Sequence, residues 1–311
     1  MNAQPRTNAL SDDDLILALE KALPEIAEDH RAAAQPWNPH DWVPWDAGRN
    51  FAFLGGSDWE PGQATLTDEV RAGVLALLLL KDNLPSYHRM LAVHFPVFSA
   101  WRELVGVWTA EDNRHAIVLR DYLVVTRAVD PVDAEVRRRI HVTAGFRQYE
   151  GSATDVGPLD VLAIMAVHEH QCAAFVRRLG EAVSDSIDEA VSEGVLAQIL
   201  RRIAADDALQ ARTFAAFLGA GIVADQEAAI VAIDRALSGM EAIGADVADF
   251  DAERALIADY ENDGTRGAVA AALVDALTLE SVQELSDDAE AARGRILALA
   301  ALADRAAGRP S

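Results

Sequence analysis

Asp112 and His115 stand three residues apart in the stretch Trp108-Thr109-Ala110-Glu111-Asp112-Asn113-Arg114-His115. At that spacing on a helix a carboxylate and an imidazole share one face. Four-helix bundles hold a pair of metal ions in this way, with a carboxylate-x-x-His on two helices and a single Glu on each of the others. The expected second copy falls on Ala205-Asp206-Asp207-Ala208-Leu209-Gln210, where Asp207 and Gln210 keep the spacing but an amide replaces the imidazole. Lys81 and Glu169 are further polar residues inside apolar helical stretches. His168 and His170 flank Glu169, about 100° to either side of it on a helix, and so face neighbouring helices rather than its own direction.

The elements that must position these residues are helices. Hydrophobic residues make up 51% of the 311, aromatics are few, and charges recur every three or four residues, which predicts an all-α chain. Ser11 followed by three aspartates starts a helix that runs toward Ala34 with a kink at Pro24. Residues 35–66 are then a long loop containing Trp37, Trp42, Trp45 and Trp59, packed by its own aromatics or lining a ligand. A helix over 67–95 carries Lys81, and one over 99–126 carries Asp112 and His115. A basic helix with Arg137, Arg138 and Arg139 follows Pro131, and 151–157 is a loop. A helix over 158–180 carries Glu169 and Cys172, and one over 186–218 carries Asp207 and Gln210, closed by 219–223. Helical hairpins divided by Gly239, Gly244 and Gly264 follow, and 306–311 reads as a frayed tail. Nothing resembles a linker, so residues 1–311 read as a single domain.

Composition narrows the partners. A formal net charge of −23 repels nucleic acid and anionic lipid. The longest apolar runs, 74–80 and 296–303, fall far short of the roughly 20 residues of a membrane span. Cys172 is the single cysteine, which excludes an internal disulfide, and the polar residues 1–11 show no signal peptide, so a cytoplasmic address is expected. Of 27 basic residues only Lys21 and Lys81 are lysine. A lysine at a special position therefore asks for a reason.

The segments Lys81-Asp82-Asn83-Leu84-Pro85-Ser86-Tyr87-His88, Trp108 to His115, and Asp121-Tyr122-Leu123-Val124-Val125-Thr126-Arg127 before Val129-Asp130-Pro131 resemble the soluble acyl-[acyl-carrier-protein] desaturases. Pro36-Trp37-Asn38-Pro39-His40-Asp41 and Phe51-Ala52-Phe53-Leu54-Gly55-Gly56-Ser57-Asp58-Trp59 point to the actinobacterial branch. The resemblance implies a homodimeric, ferritin-like four-helix core bundle with additional helices and a diiron centre. There oxygen and electrons from a ferredoxin-type donor remove hydrogen from an acyl chain carried on acyl carrier protein. It also implies six ligands, which fall on Lys81, on Asp112 and His115, on Glu169, and on Asp207 and Gln210. Only His115 and Glu169 are of the expected type. Cys172 stands where plant members have a threonine on the oxygen side; as a residue it is a buried small side chain or a reactive thiol.

These departures change the chemistry. Three carboxylates and one ammonium leave a charge of −2, enough for one divalent metal ion or none. An Asp/Glu/Gln set is all oxygen and suits Mg, Mn or Ca better than redox iron. Lys81 either bridges the carboxylates or snorkels to solvent. His115 is a ligand or a hydrogen-bonded core histidine, and Gln210 is expected to bond the adjacent carboxylates. Glu111 and Asp82 sit one residue off the inward face. Arg137, Arg138 and Arg139 form either a landing patch for the acidic carrier protein or a solvated helix face. Two functions follow: a desaturase of fatty-acid metabolism with a degenerate diiron site, or an inert paralogue that binds acyl chains or acyl carrier protein, or partners an active desaturase.

Overall fold

The computed structural model describes residues 10–95, 98–144, 156–185, 191–261 and 263–306. The expected loop at 151–157 and the expected tail lie largely outside the described residues. The helices are α1 (Asp12–Glu20), α2 (Leu23–Ala33), α3 (Asp68–Asp82), α4 (Leu84–His94), α5 (Trp101–Val125), α6 (Pro131–Ala144), α7 (Pro158–Asp185), α8 (Val191–Ala224), α9 (Gln226–Ser238), α10 (Asp251–Leu256), α11 (Asp263–Leu277) and α12 (Asp287–Ala306). No strand occurs among the described residues.

Local chemistry sets the boundaries. Ser11 caps α1 by accepting from the Asp14 amide, and Thr67 caps α3 by accepting from that of Val70. Each of the two long helices expected from the sequence is divided. Pro24 and Pro85 lack the amide that a continuous helix would use, and their rings crowd the carbonyls of Glu20 and Lys81 four residues earlier. α1 accordingly ends at Glu20 and α3 at Asp82, so Pro24 gives a break rather than a kink. The opposite correction applies to α8, which continues to Ala224 through the glycines at 219 and 221. Gly221 is there for space: a Cβ would meet Leu159 Cδ2 at 2.5 Å. At Gly267 a Cβ on α11 would meet the Ala303 amide nitrogen at 2.9 Å and the Leu299 carbonyl oxygen at 3.0 Å, both backbone atoms of α12.

Helices α3, α5, α8 and α7 form a closed ring in which each packs on the next. α1 and α2 lie on α8, while α9, α11 and α12 pack together and onto α7 and α8. The apolar run at 74–79 is buried by the chain's own helices, so it gives no reason for a second copy to cover it. α7 alone among the described helices is long and apolar enough to cross a membrane, and 83% of its apolar window is buried inside the protein.

The core has two apolar clusters. One gathers Trp101, Leu104 and Trp108 of α5 with 159–167 of α7 and Phe214 and Phe217 of α8; the other gathers Val118 to Leu123, Phe175 to Val183 and Leu196 to Ile203 with α3. The boundary falls where Asp112, His115, Glu169, Asp207 and Gln210 stand. A polar layer thus divides an apolar bundle.

The loop over 35–66 is fastened by its own polar tips. Trp59 Nε1 donates to the Arg127 carbonyl, and the Arg127 guanidinium donates to the carbonyls of Asn50, Ser57 and Asp58 while lying 4.3 Å over the Phe51 ring. Its apex is open, with Phe53 84% exposed.

Candidate functional site

Lys81, at the last turn of α3, points into the ring. Its side chain is 1% exposed, and Nζ donates to Asp112 Oδ1 at 2.7 Å and to Asp207 Oδ1 at 3.0 Å. The ammonium therefore ties α3 to α5 and α8 at one point. Burial opposes its charge, but the carboxylates of Asp112 and Asp207 outweigh that cost and hold the amine well above its ordinary value. Burial likewise penalises the Asp112 carboxylate, yet Lys81 and His115 pull it well below the usual range.

His115 is the second cation. Nδ1 lies 3.2 Å from Asp112 Oδ1 and 3.4 Å from Asp207 Oδ1, and Nε2 lies 3.3 Å from Asp206 Oδ2. Against the cost of burial, these acceptors push the imidazole up to about 9, so it is charged at neutral pH. Asp206, a residue passed over in the sequence, also accepts from Trp37 Nε1 at 2.7 Å and pairs with Arg202. Trp37 stacks on His115 with ring centroids 6.2 Å apart, which joins the loop to the polar layer.

Glu169 behaves differently. Its Oε1 accepts from Trp108 Nε1 at 2.7 Å, its Oε2 has no hydrogen-bond partner, and no salt bridge reaches it from Lys81. Burial pushes its carboxyl up to about 8 against the pull of Lys81. The layer is then two cations, Lys81 and His115, facing Asp112 and Asp207, with Asp206 answered by Arg202 and Glu169 neutral. The excess charge of −2 counted from the sequence is gone, because that count left out a protonated imidazole and took Glu169 as ionised.

Gln210 departs from expectation. It is 1% exposed, and neither Oε1 nor Nε2 has a hydrogen-bond partner, so it does not bond the adjacent carboxylates. Lys81 has taken the Asp207 oxygen that such a bond would use. Cys172 is fully buried with its Sγ 3.6 Å from His168 Nε2, so His168 does turn toward a residue of its own helix; its other face stacks on Tyr87 at 4.3 Å. Glu111 and Asp82 are taken by other partners, Glu111 by His30 at 2.9 Å and Asp82 by Arg120.

The arginines of α6 are largely spoken for. Arg137 pairs with Asp133 at 2.8 Å and Glu253 at 3.1 Å, Arg138 pairs with Glu135 at 2.7 Å, and Arg139 is exposed. Two of the three arginines are thus paired with carboxylates at the surface of α6.

Among the described residues, two sets of side chains have the donor types and closeness to hold a metal ion: Asp112, His115 and Asp207, and His168, Glu169 and Cys172, the atoms of each set lying within 4.8 Å of one another. Lys81 already sits on the first set.

The fatty acid desaturase family pattern matches residues 11–310. A Mycobacterium tuberculosis protein named as the acyl-[acyl-carrier-protein] desaturase DesA2 is 38% identical over 76% of this chain and 81% of its own length. DesA1 of the same organism is 37% identical over 64% of this chain, and the match spans 58% of DesA1. Stearoyl-[acyl-carrier-protein] 9-desaturase 6 of Arabidopsis thaliana is 30% identical over 46% of this chain and 36% of its own length. The X-ray structure of DesA2 superimposes with a TM-score of 0.69 at 30% identity, covering 86% of this chain and 96% of that one.

Proposed function

The chain belongs to the fatty acid desaturase family, and from that premise we propose that it binds acyl chains on acyl carrier protein without performing oxygen-dependent desaturation of its own. The observation that carries this reading is the Lys81 ammonium held by Asp112 and Asp207 at 2.7 and 3.0 Å. The six family positions do not suit two iron ions. Lysine has three donors and no acceptor, Gln210 offers an amide in place of an imidazole, and a cation already occupies the carboxylates.

On this reading Lys81 and His115 stand in for the charge that metal ions supply in the family, and the role of Asp112, Asp207 and Asp206 is to hold those cations. The family function that survives is recognition of the acyl thioester, in fatty-acid metabolism.

A second reading, a desaturase working with an altered metal site, draws on the closeness of Asp112, His115 and Asp207. Elemental analysis of protein made in iron-replete cells, joined to acyl-carrier-protein binding and turnover with a ferredoxin donor, separates the two. We expect well under one iron per chain, binding of acylated but not free carrier protein, and no double bond formed. Two irons per chain with turnover would establish the second reading instead.

A further inference from the structure

Lys81 divides the polar layer into two halves. On one side it is engaged with Asp112 and Asp207; on the other, His168, Glu169 and Cys172 of α7 bring an imidazole, a carboxyl and a thiol together with no cation among them. One nitrogen, one oxygen and one sulfur of this trio lie within 4.8 Å of one another. Residues four apart on a helix share a face, and Cys172 Sγ stands 3.6 Å from His168 Nε2.

That separation is informative. An ion about 2.0–2.1 Å from an imidazole nitrogen and about 2.3 Å from a thiolate, at a tetrahedral angle, holds the two atoms about 3.6 Å apart. A plain S–H···N contact has a similar length. Two further features point to a ligand. Glu169 Oε2 is fully buried without a hydrogen-bond partner, an unusual condition for a carboxyl oxygen. Its Oε1 accepts from Trp108 Nε1 at 2.7 Å, the kind of outer donor that orients a ligating carboxylate. Tyr87, stacked on the His168 ring at 4.3 Å, restrains that ring.

We propose that His168, Glu169 and Cys172 bind one zinc-class divalent ion, with a fourth coordination position left open. A mixed nitrogen, sulfur and oxygen set suits zinc and disfavours magnesium or calcium. Charge closes: the thiol and the Glu169 carboxyl release their protons to solvent, and the resulting two negative charges match the ion, while Lys81 stays matched by Asp112 and Asp207. The His168 imidazole, held by the Tyr87 ring beside the Cys172 thiol, supplies the nitrogen of the set. His168 is only partly buried, unlike Glu169 and Cys172.

This inference rests on the proposed function in one respect, that Glu169 is not engaged by iron. The test is titration of the full chain with cobalt(II), both on the native protein and during refolding from denaturant. We expect one cobalt per chain with a thiolate-to-cobalt charge-transfer band in the near ultraviolet and tetrahedral d–d absorbance. The band should vanish in Cys172→Ser, and cobalt affinity should fall at least about tenfold in His168→Gln. Circular dichroism and melting of each variant confirm that it folds. Absence of the band in both protocols, or its persistence in Cys172→Ser, overturns the proposal. Iron counted in the same samples keeps the readings apart: no iron and no cobalt band sinks this inference alone, whereas two irons per chain sinks the proposed function and this inference together.

Discussion

At the scale of single residues, the energetic weight of the site lies on Lys81. Replacing it by methionine keeps much of the stem but leaves Asp112 and Asp207 facing each other in an apolar bundle. Breaking a buried pair by removing one partner costs about 3–5 kcal/mol, so urea denaturation of Lys81→Met should show a loss of about that size. The triple variant Lys81→Met, Asp112→Asn, Asp207→Asn removes the charges together and should recover much of it. A Lys81→Met protein as stable as the parent would mean that the ammonium holds nothing. Protons give a second test. His115 is charged up to about 9 in the folded chain against an ordinary 6.5, so its contribution is full below 6.5 and is lost as pH rises through 9. Glu169, raised from 4.5 to about 8, is neutral when folded and ionises on unfolding, so stability also falls as pH climbs from 4.5 to 8. Denaturation free energy should therefore decline from pH 7 to 9, where His168 and His170, pushed down by burial to about 3 and 4, no longer titrate in either state, with Glu169→Gln flattening the part up to 8 and His115→Asn the part up to 9. A rise over that range would contradict both assignments.

At the scale of elements, close approach is set by missing side chains. Gly267→Ala pushes a methyl group against the Leu299 carbonyl and the Ala303 amide, and backbone cannot turn aside as a flexible side chain can. We expect the variant to lose about 1–3 kcal/mol, read in thermal unfolding, through displacement of α12 from α11. How far such elements can be read from sequence differs by kind. The positions of the core helices were legible, because Lys81, Asp112, Glu169 and Asp207 each interrupt an apolar stretch at a helical interval. The divisions at Pro24 and Pro85 were underestimated: a kink and a continuous helix were expected where the proline rings end α1 and α3 outright. The partners that complete the site were not legible. Asp206 next to Asp207 looks like a solvated neighbour until Trp37, 169 residues away in the chain, is seen to donate to it. Trp108 reads as core packing until its indole nitrogen meets Glu169. The turn of His168 toward Cys172 likewise depends on the Tyr87 ring from α4, which no spacing within α7 can reveal.

At the scale of the whole molecule, a net charge of −23 sets the terms for any acidic partner. With Arg137 and Arg138 paired to Asp133, Glu253 and Glu135, α6 offers little to overcome the mutual repulsion. Association with acyl carrier protein should therefore speed up as salt rises from about 0.01 to 0.15 M, where the screening length shrinks from about 30 to 8 Å. Stopped-flow measurement of the rate against ionic strength checks this, and a rate that falls steeply with salt would restore a basic docking patch. The buried amine has one more consequence. A metal ion must be found after synthesis, competes with other ions for its place, and can be drawn out again by a scavenger. Lys81 is translated with the rest of the chain, so one cation per polypeptide is present from the first moment of collapse. On the proposed reading, the yield of folded protein is then the same in an iron-starved cell as in a replete one.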